Sequence, residues 1–148
     1  MKRRLKTITI ILGFLALFSF DRFLKWLIIN KLPLEGVFVL PAVQLKIYLN
    51  PNLAFSLPFN QTLLIFLSSL IIILLFYLAL VNYKKGVYAK ANYIALIITG
   101  ATSNLLDRLI YKQVIDYVSI SILPIFNLAD ILITLGIGLW ITKIIKEK

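Results

Sequence analysis

Thr62 to Val81 reads TLLIFLSSLIIILLFYLALV, twenty residues without a charge. As a helix this stretch rises about 30 Å, the thickness of the hydrocarbon core of a bilayer. Three other stretches share its character. Residues 7–29 are apolar apart from Asp21, Arg22 and Lys25 near their end; residues 91–108 stay mostly apolar until Asp107-Arg108. Residues 127–145 carry Asp130 near their start and Lys143 near their end. Of 148 residues, 61% are hydrophobic and 15% charged, with a mean hydropathy of +0.96. Soluble domains average roughly 45–50% apolar and about 25% charged. The expected fold is therefore an all-α membrane protein, with four transmembrane helices over about 7–29, 62–81, 91–108 and 127–145. The length fits a single integral membrane domain, residues 1–148, with outer segments 30–61 and 109–126.

The first span follows Lys2, Arg3, Arg4 and Lys6, as a secretory signal peptide would. It ends in Phe18-Ser19-Phe20-Asp21, without a small-residue cleavage site, so it is read as a retained helix. The net charge of +10 would suggest nucleic acid in a soluble protein; here it sets orientation, and no nucleic-acid partner is expected. Ten of the sixteen basic residues fall at the N-terminus, in the 84–90 connection and at the C-terminus. With four spans these regions share one side, which the positive-inside rule makes cytoplasmic. Asp21, Asp107, Asp116 and Asp130 fall at or near the opposite helix ends, and Glu35 lies in the first outer segment. Chemistry is expected at the outer face.

Within 30–61, Val43, Leu45, Ile47 and Leu49 alternate with Gln44, Lys46 and Tyr48, the period of a strand with one apolar face. Asn50-Pro51-Asn52 reads as a turn. Val114 to Ile122 is a second β-rich stretch. The two outer segments are expected to form a small extracytoplasmic β-containing cap.

The chain has no cysteine and no histidine, which excludes disulfides, thiolate nucleophiles, a Ser-His-Asp triad and imidazole-bound zinc. Two Asn-x-x-Asp units remain, Asn104 to Asp107 closing the third span and Asn127 to Asp130 opening the fourth. A spacing of three places amide and carboxylate on one helix face, so Asp107 and Asp130 are expected at similar depth. Paired carboxylates in a membrane are costly, and one is driven to hold a proton while the other stays charged. That is an acid beside a base, able to activate water against an amide. The plainer alternative is that each Asp caps a helix end or pairs with Arg108. Asp21 and Lys25, four apart, are expected to form an ion pair. A serine–lysine mechanism using Ser19, Ser56 or Ser103 with Lys25 has nothing in its spacing to favour it. Trp26, Phe55, Phe59 and Tyr117 read as interfacial belt residues.

Five ordered motifs resemble those of the bacterial lipoprotein signal peptidase family, also called prolipoprotein signal peptidase or signal peptidase II. Asp21-Arg22-Phe23-Leu24-Lys25 matches its Asp-x-x-x-Lys. The stretch from Asn50 to Ser56 resembles Asn-x-Gly-Ala-Ala-Phe, and that from Gly100 to Arg108 resembles Gly-x-x-Gly-Asn-x-x-Asp-Arg. Val114-Ile115-Asp116-Tyr117 matches Val-x-Asp-Phe, and Phe126-Asn127-Leu128-Ala129-Asp130 matches Phe-Asn-x-Ala-Asp. Asn52, Leu53 and Ser103 depart from the motifs, which bears on loop geometry and inhibitor binding. The resemblance implies an aspartic endopeptidase of the bacterial inner (cytoplasmic) membrane. Such an enzyme removes the signal peptide from diacylglyceryl-modified prolipoproteins just before the lipid-modified cysteine. By the same likeness Asp107 and Asp130 are the catalytic pair, Asn104 and Asn127 orient them, Asn50 and Arg108 bind substrate, and Asp116, Asp21 and Lys25 support the site. It implies no metal or organic cofactor, and a protein of the lipid bilayer sensitive to macrocyclic peptide antibiotics of the globomycin type; nothing in the sequence requires an oligomer, and a monomer is expected. The competing reading is a small proton- or ion-coupled transporter using the same aspartates.

Overall fold

The computed structural model describes residues 2–51 and 60–146. Asn52, Leu53, Phe55, Ser56 and Phe59, named above for a turn, a motif, a serine mechanism or an interfacial belt, lie outside the described residues. Four long helices alternate with a small sheet: α1 (Lys2–Lys31), β1 (Val37–Leu40), β2 (Val43–Asn50), α2 (Gln61–Lys84), α3 (Tyr88–Tyr111), β3 (Val114–Ile120) and α4 (Leu128–Lys146). Three helices, α1 from Thr7, α2 and α4, are long and apolar enough to cross a membrane. Their outward faces are rich in exposed apolar side chains such as Phe66, Ile73 and Phe76. In water such a surface would aggregate; in lipid it is solvated.

α3 is different in kind. It packs against α1, α2 and α4, and it carries the polar residues Thr99, Ser103, Asn104 and Asp107 buried inside the bundle. Its closest approach is to α4. A Cβ on Gly100 would stand 2.3 Å from the Ala129 carbonyl oxygen, and one on Gly136 would stand 2.6 Å from Ile97 Cγ1. Small residues here let two backbones meet, which is how helices associate where lipid removes the hydrophobic drive. Gly100→Ala is therefore expected to cost about 1–3 kcal/mol through overpacking. Gly138, with no atom within 4 Å of such a Cβ, should accept Ala without loss. Thermal unfolding of the two variants in detergent checks the contrast.

α1, α2 and α3 exceed the spans read from hydropathy by one to five residues at each end, because polar interfacial residues continue the helix after the apolar run stops; α4 starts one residue after the expected span and ends one residue beyond it. The expected strand at 43–49 is β2, and the β-rich stretch from Val114 is β3, which ends at Ile120 rather than Ile122. β1 is an addition; Pro33, Gly36 and Pro41 around it make that region read as a connector. The sheet order is β1-β2-β3, antiparallel throughout. Asn50 pairs with Val114 and Tyr48 with Asp116 across β2 and β3. Lys112 ends α3 in a left-handed conformation (φ 59°) and turns the chain into β3. Backbone bonds between Val118 and Phe126 then return the chain to the start of α4.

Candidate active site

Two layers of polar groups lie where α1, α3, β3 and the start of α4 converge. The inner layer is ionic. Lys25, Asp21 and Asp107 are fully buried. Lys25 Nζ lies 2.7 Å from Asp107 Oδ2, 3.3 Å from Asp21 Oδ2 and 2.9 Å from Asn104 Oδ1, so its three donors are matched by three acceptors. Arg22 pairs with Asp107 Oδ1, and the Ile115 backbone N–H donates to Asp107 Oδ2 at 3.2 Å. Asp21 accepts from Ser103 Oγ and, at 3.0 Å, from the Ala129 N–H in the first turn of α4. One carboxylate thus binds α1 to α3 and α4, and the other binds α1 to α3 and β3.

The outer layer is made of amides and carboxylates. Asn127 precedes α4 and Asp130 lies in its first turn. Asp130 N donates to Asn127 Oδ1 at 2.9 Å, and Asn127 N donates to Asp130 Oδ2 at 3.1 Å. This reciprocal capping box explains the Asn-x-x-Asp spacing in local terms. Asn127 Nδ2 reaches Asp116 Oδ1 at 2.6 Å, and Asn104 Nδ2 reaches Asp130 Oδ1 at 2.8 Å. Asn50, at the end of β2, donates to Asp116 Oδ2 at 3.0 Å. Asn127 therefore holds Asp116 and Asp130 at once.

The expected Asp21–Lys25 ion pair is present. The expected partnership of Asp107 with Asp130 is replaced by a different arrangement. Asp107 faces two cations, Asn104 stands between it and Asp130, and the carboxylate that shares Asn127 with Asp130 is Asp116. Nor does Asp107 take Arg108 as its ion-pair partner; Arg22 fills that place. Arg22 lies three residues before Lys25 on the same helix face, a spacing that could have flagged it. Arg108 is half-buried, close enough to Asp116, Asp130 and Asp107 to feel all three charges, and its buried Nε has no hydrogen-bond partner. Ser103 donates its hydroxyl to Asp21 and accepts from Arg22. Tyr117 is buried rather than interfacial, and its hydroxyl accepts the Leu128 N–H at 3.1 Å. Among the described residues no group of three metal-ligating side chains comes together.

Burial pushes the Asp116 carboxyl up to about 6; the Asn50 and Asn127 amides oppose that rise and the Asp130 charge adds to it. A carboxyl raised above its unfolded value of 3.8 binds a proton more tightly in the fold. It contributes stability below that value and loses the contribution as pH rises through about 6. The melting temperature in detergent should accordingly fall across this window. Asp116→Asn should flatten the fall and melt above the parent at pH 7.

The family model for signal peptidase (SPase) II matches residues 13–146. The chain belongs to the signal peptidase II family. A lipoprotein signal peptidase of Mesorhizobium japonicum is 35% identical over 131 residues, covering 84% of this chain and 77% of that protein. One of Bartonella henselae is 35% identical over 148 residues, covering 93% and 86%. A solved bacterial membrane enzyme superposes with a TM-score of 0.83 at 27% identity, covering 94% of this chain and 88% of the other. Membership makes the protein a peptidase hydrolase, and with its three apolar helices and membrane-enzyme neighbours it is a membrane protein.

Proposed function

We propose that the protein cleaves the signal peptide from diacylglyceryl-modified prolipoproteins, just before the lipid-modified cysteine, with Asp116 and Asp130 activating the attacking water. The observation that carries the assignment is Asn127, whose side-chain Nδ2 donates to Asp116 and whose backbone N–H donates to Asp130, while among the described residues neither carboxylate meets a cation in a salt bridge. Asp107 is instead taken up by two cations and a backbone N–H, which suits it to a supporting role. One carboxylate of the pair takes a proton from water as it adds to the peptide carbonyl. The other gives a proton to the departing amine; each turnover consumes one water and leaves one proton on the pair, which passes back between the carboxylates to restore the starting state. Arg108, whose buried Nε is unsatisfied among the described residues, is placed to donate to a substrate carbonyl. Asn50 ties the strand that precedes the 52–59 segment to Asp116 and positions that carboxylate.

The test is incubation of the purified chain with a diacylglyceryl-modified prolipoprotein. A mobility shift and a new N-terminus at the lipidated cysteine are the expected products. An intact substrate with well-folded protein refutes the reading. The transporter alternative finds no support in the comparisons.

The same reading takes residues 1–148 as one integral domain, with α3 as a fourth crossing and both termini on the cytoplasmic side of the bacterial inner membrane. It takes the chain as a monomer and extends to binding of globomycin-type macrocycles at the site. A reporter active only outside the cytoplasm should be silent after Lys148 and active near Glu35. The reverse pattern would invert the molecule and place the site on the wrong face.

A further inference from the structure

The hydrogen-bond donors around the two proposed carboxylates are not equivalent, and their differences trace back to Lys25. An ammonium donates and never accepts. Because Lys25 Nζ lies 2.9 Å from Asn104 Oδ1, that amide must turn its Nδ2 to Asp130 Oδ1, 2.8 Å away. Asn127 Nδ2 donates to the same Asn104 oxygen at 3.2 Å, so two donors fix the amide in this sense. The second Asp130 oxygen accepts a backbone N–H, that of Asn127, at 3.1 Å. Asp130 also lies in the first turn of α4, where the helix end favours negative charge. Asp116 sits on a strand, without a helix end, and is met by two neutral side-chain amides, Asn50 and Asn127.

Resting on the catalytic pair proposed above, we infer that Lys25 acts through Asn104 as a positioning residue that makes Asp130 the base, leaving the shared proton on Asp116. The other charges facing the pair do not reverse this. Lys25 and Asp21 face Asp130 from α1, Lys25 also faces Asp116, and Arg108 of α3 faces both carboxylates. The Asp116 proton is retained to about pH 6, which makes it observable in the resting enzyme. In turnover Asp130 takes the water proton, and Asp116 gives its own to the departing amine. Transfer of the proton from Asp130 to Asp116 then restores the starting state. Lys25 itself touches neither the water nor the substrate in this scheme. Its effect reaches the reaction as the orientation of one amide, strengthened because hydrogen bonds in series polarise one another in a dry interior.

Infrared spectra of the whole protein at pH 5 test the assignment through the stretching band of the protonated carboxyl. The expected result is one band that moves in Asn50→Ala, because Asn50 bonds directly to Asp116. A band that moves in Asn104→Leu and stays in Asn50→Ala would put the proton on Asp130 and overturn the inference. Lys25→Met should lower kcat roughly ten- to a hundredfold, the range for losing a hydrogen bond to a charged group. KM should stay within about twofold of the parent, and a second carboxyl band should appear as the proton divides between the two carboxylates. If Lys25→Met fails to fold, Asn104→Leu decides, because it leaves Lys25 its contacts with Asp21 and Asp107. Unchanged kcat with a single unmoved band in a folded Asn104→Leu protein refutes the role of Lys25. Activity surviving in Asp116→Asn or Asp130→Asn refutes the pair itself, a result the band assignment cannot produce.

Discussion

Asp116→Asn and Asp130→Asn should each lower turnover of a diacylglyceryl-modified prolipoprotein by at least about 10²–10⁴-fold, the usual contribution of general acid–base groups. Neither amide exchanges a proton at neutral pH, and both side chains keep the size of the original. The folded state should survive both changes, since each removes a membrane-proximal charge whose burial is costly. Asp130→Asn retains an oxygen for the Asn127 N–H, which protects the start of α4. The double variant should be scarcely worse than either single one, because groups acting as a unit are not additive. Turnover per folded molecule is the measurement. A well-inserted Asp116→Asn protein with more than a tenth of parental activity would remove Asp116 from the pair.

Asp107→Ala should fail differently, by loss of the fold. It leaves the fully buried Lys25 with one carboxylate neighbour in place of two, and it deprives Arg22 of its ion-pair partner. Breaking a buried pair from one side costs about 3–5 kcal/mol, a large part of the roughly 5–15 kcal/mol that holds a domain together. Membrane yield and melting temperature should fall sharply. Asp107→Asn, which keeps two acceptor lone pairs for Lys25, should fall less in stability and retain turnover within about tenfold per folded molecule. The opposite result would be a stable Asp107→Asn protein without turnover beside an active Asp116→Asn. That would restore the pairing that the two Asn-x-x-Asp motifs suggest.

These two predictions mark where sequence was legible and where it was not. Apolar runs locate the helices, three of which are long and apolar enough to cross a membrane. Alternation locates β2, although in the fold its residues are evenly half-buried apart from the exposed Leu49. The polar constellation is also readable as a set, since Asp21, Lys25, Asn50, Asn104, Asp107, Asp116, Asn127 and Asp130 all meet. What spacing cannot give is how that set divides. Asn104-x-x-Asp107 and Asn127-x-x-Asp130 look alike, yet the first ends in an ion cluster and the second is a capping box. The difference is made by α1, eighty residues earlier in the chain, which delivers Arg22 and Lys25 to Asp107. Asp116 is the converse case, because a strand residue in an outer segment shows no periodic sign of facing the bundle. Its seat depends on the register of β3 against β2, with Asn50 opposite Val114.

The two-layer site also obeys a condition of electroneutrality. Three cations, Arg22, Lys25 and Arg108, sit among four carboxylates, Asp21, Asp107, Asp116 and Asp130. If every acid were ionised, this inclusion in a medium of low polarisability would carry one uncompensated negative charge. With a single proton aboard it carries none. A neutral polar inclusion has no monopole field to be penalised by the surrounding hydrocarbon, whereas a lone charge there costs at least about 2.5 kcal/mol. The protonation state that chemistry needs is thus also the one in which the molecule sits most comfortably in lipid. Raising the pH through about 6, which strips the proton from Asp116, should disturb the seating of the protein and its activity together.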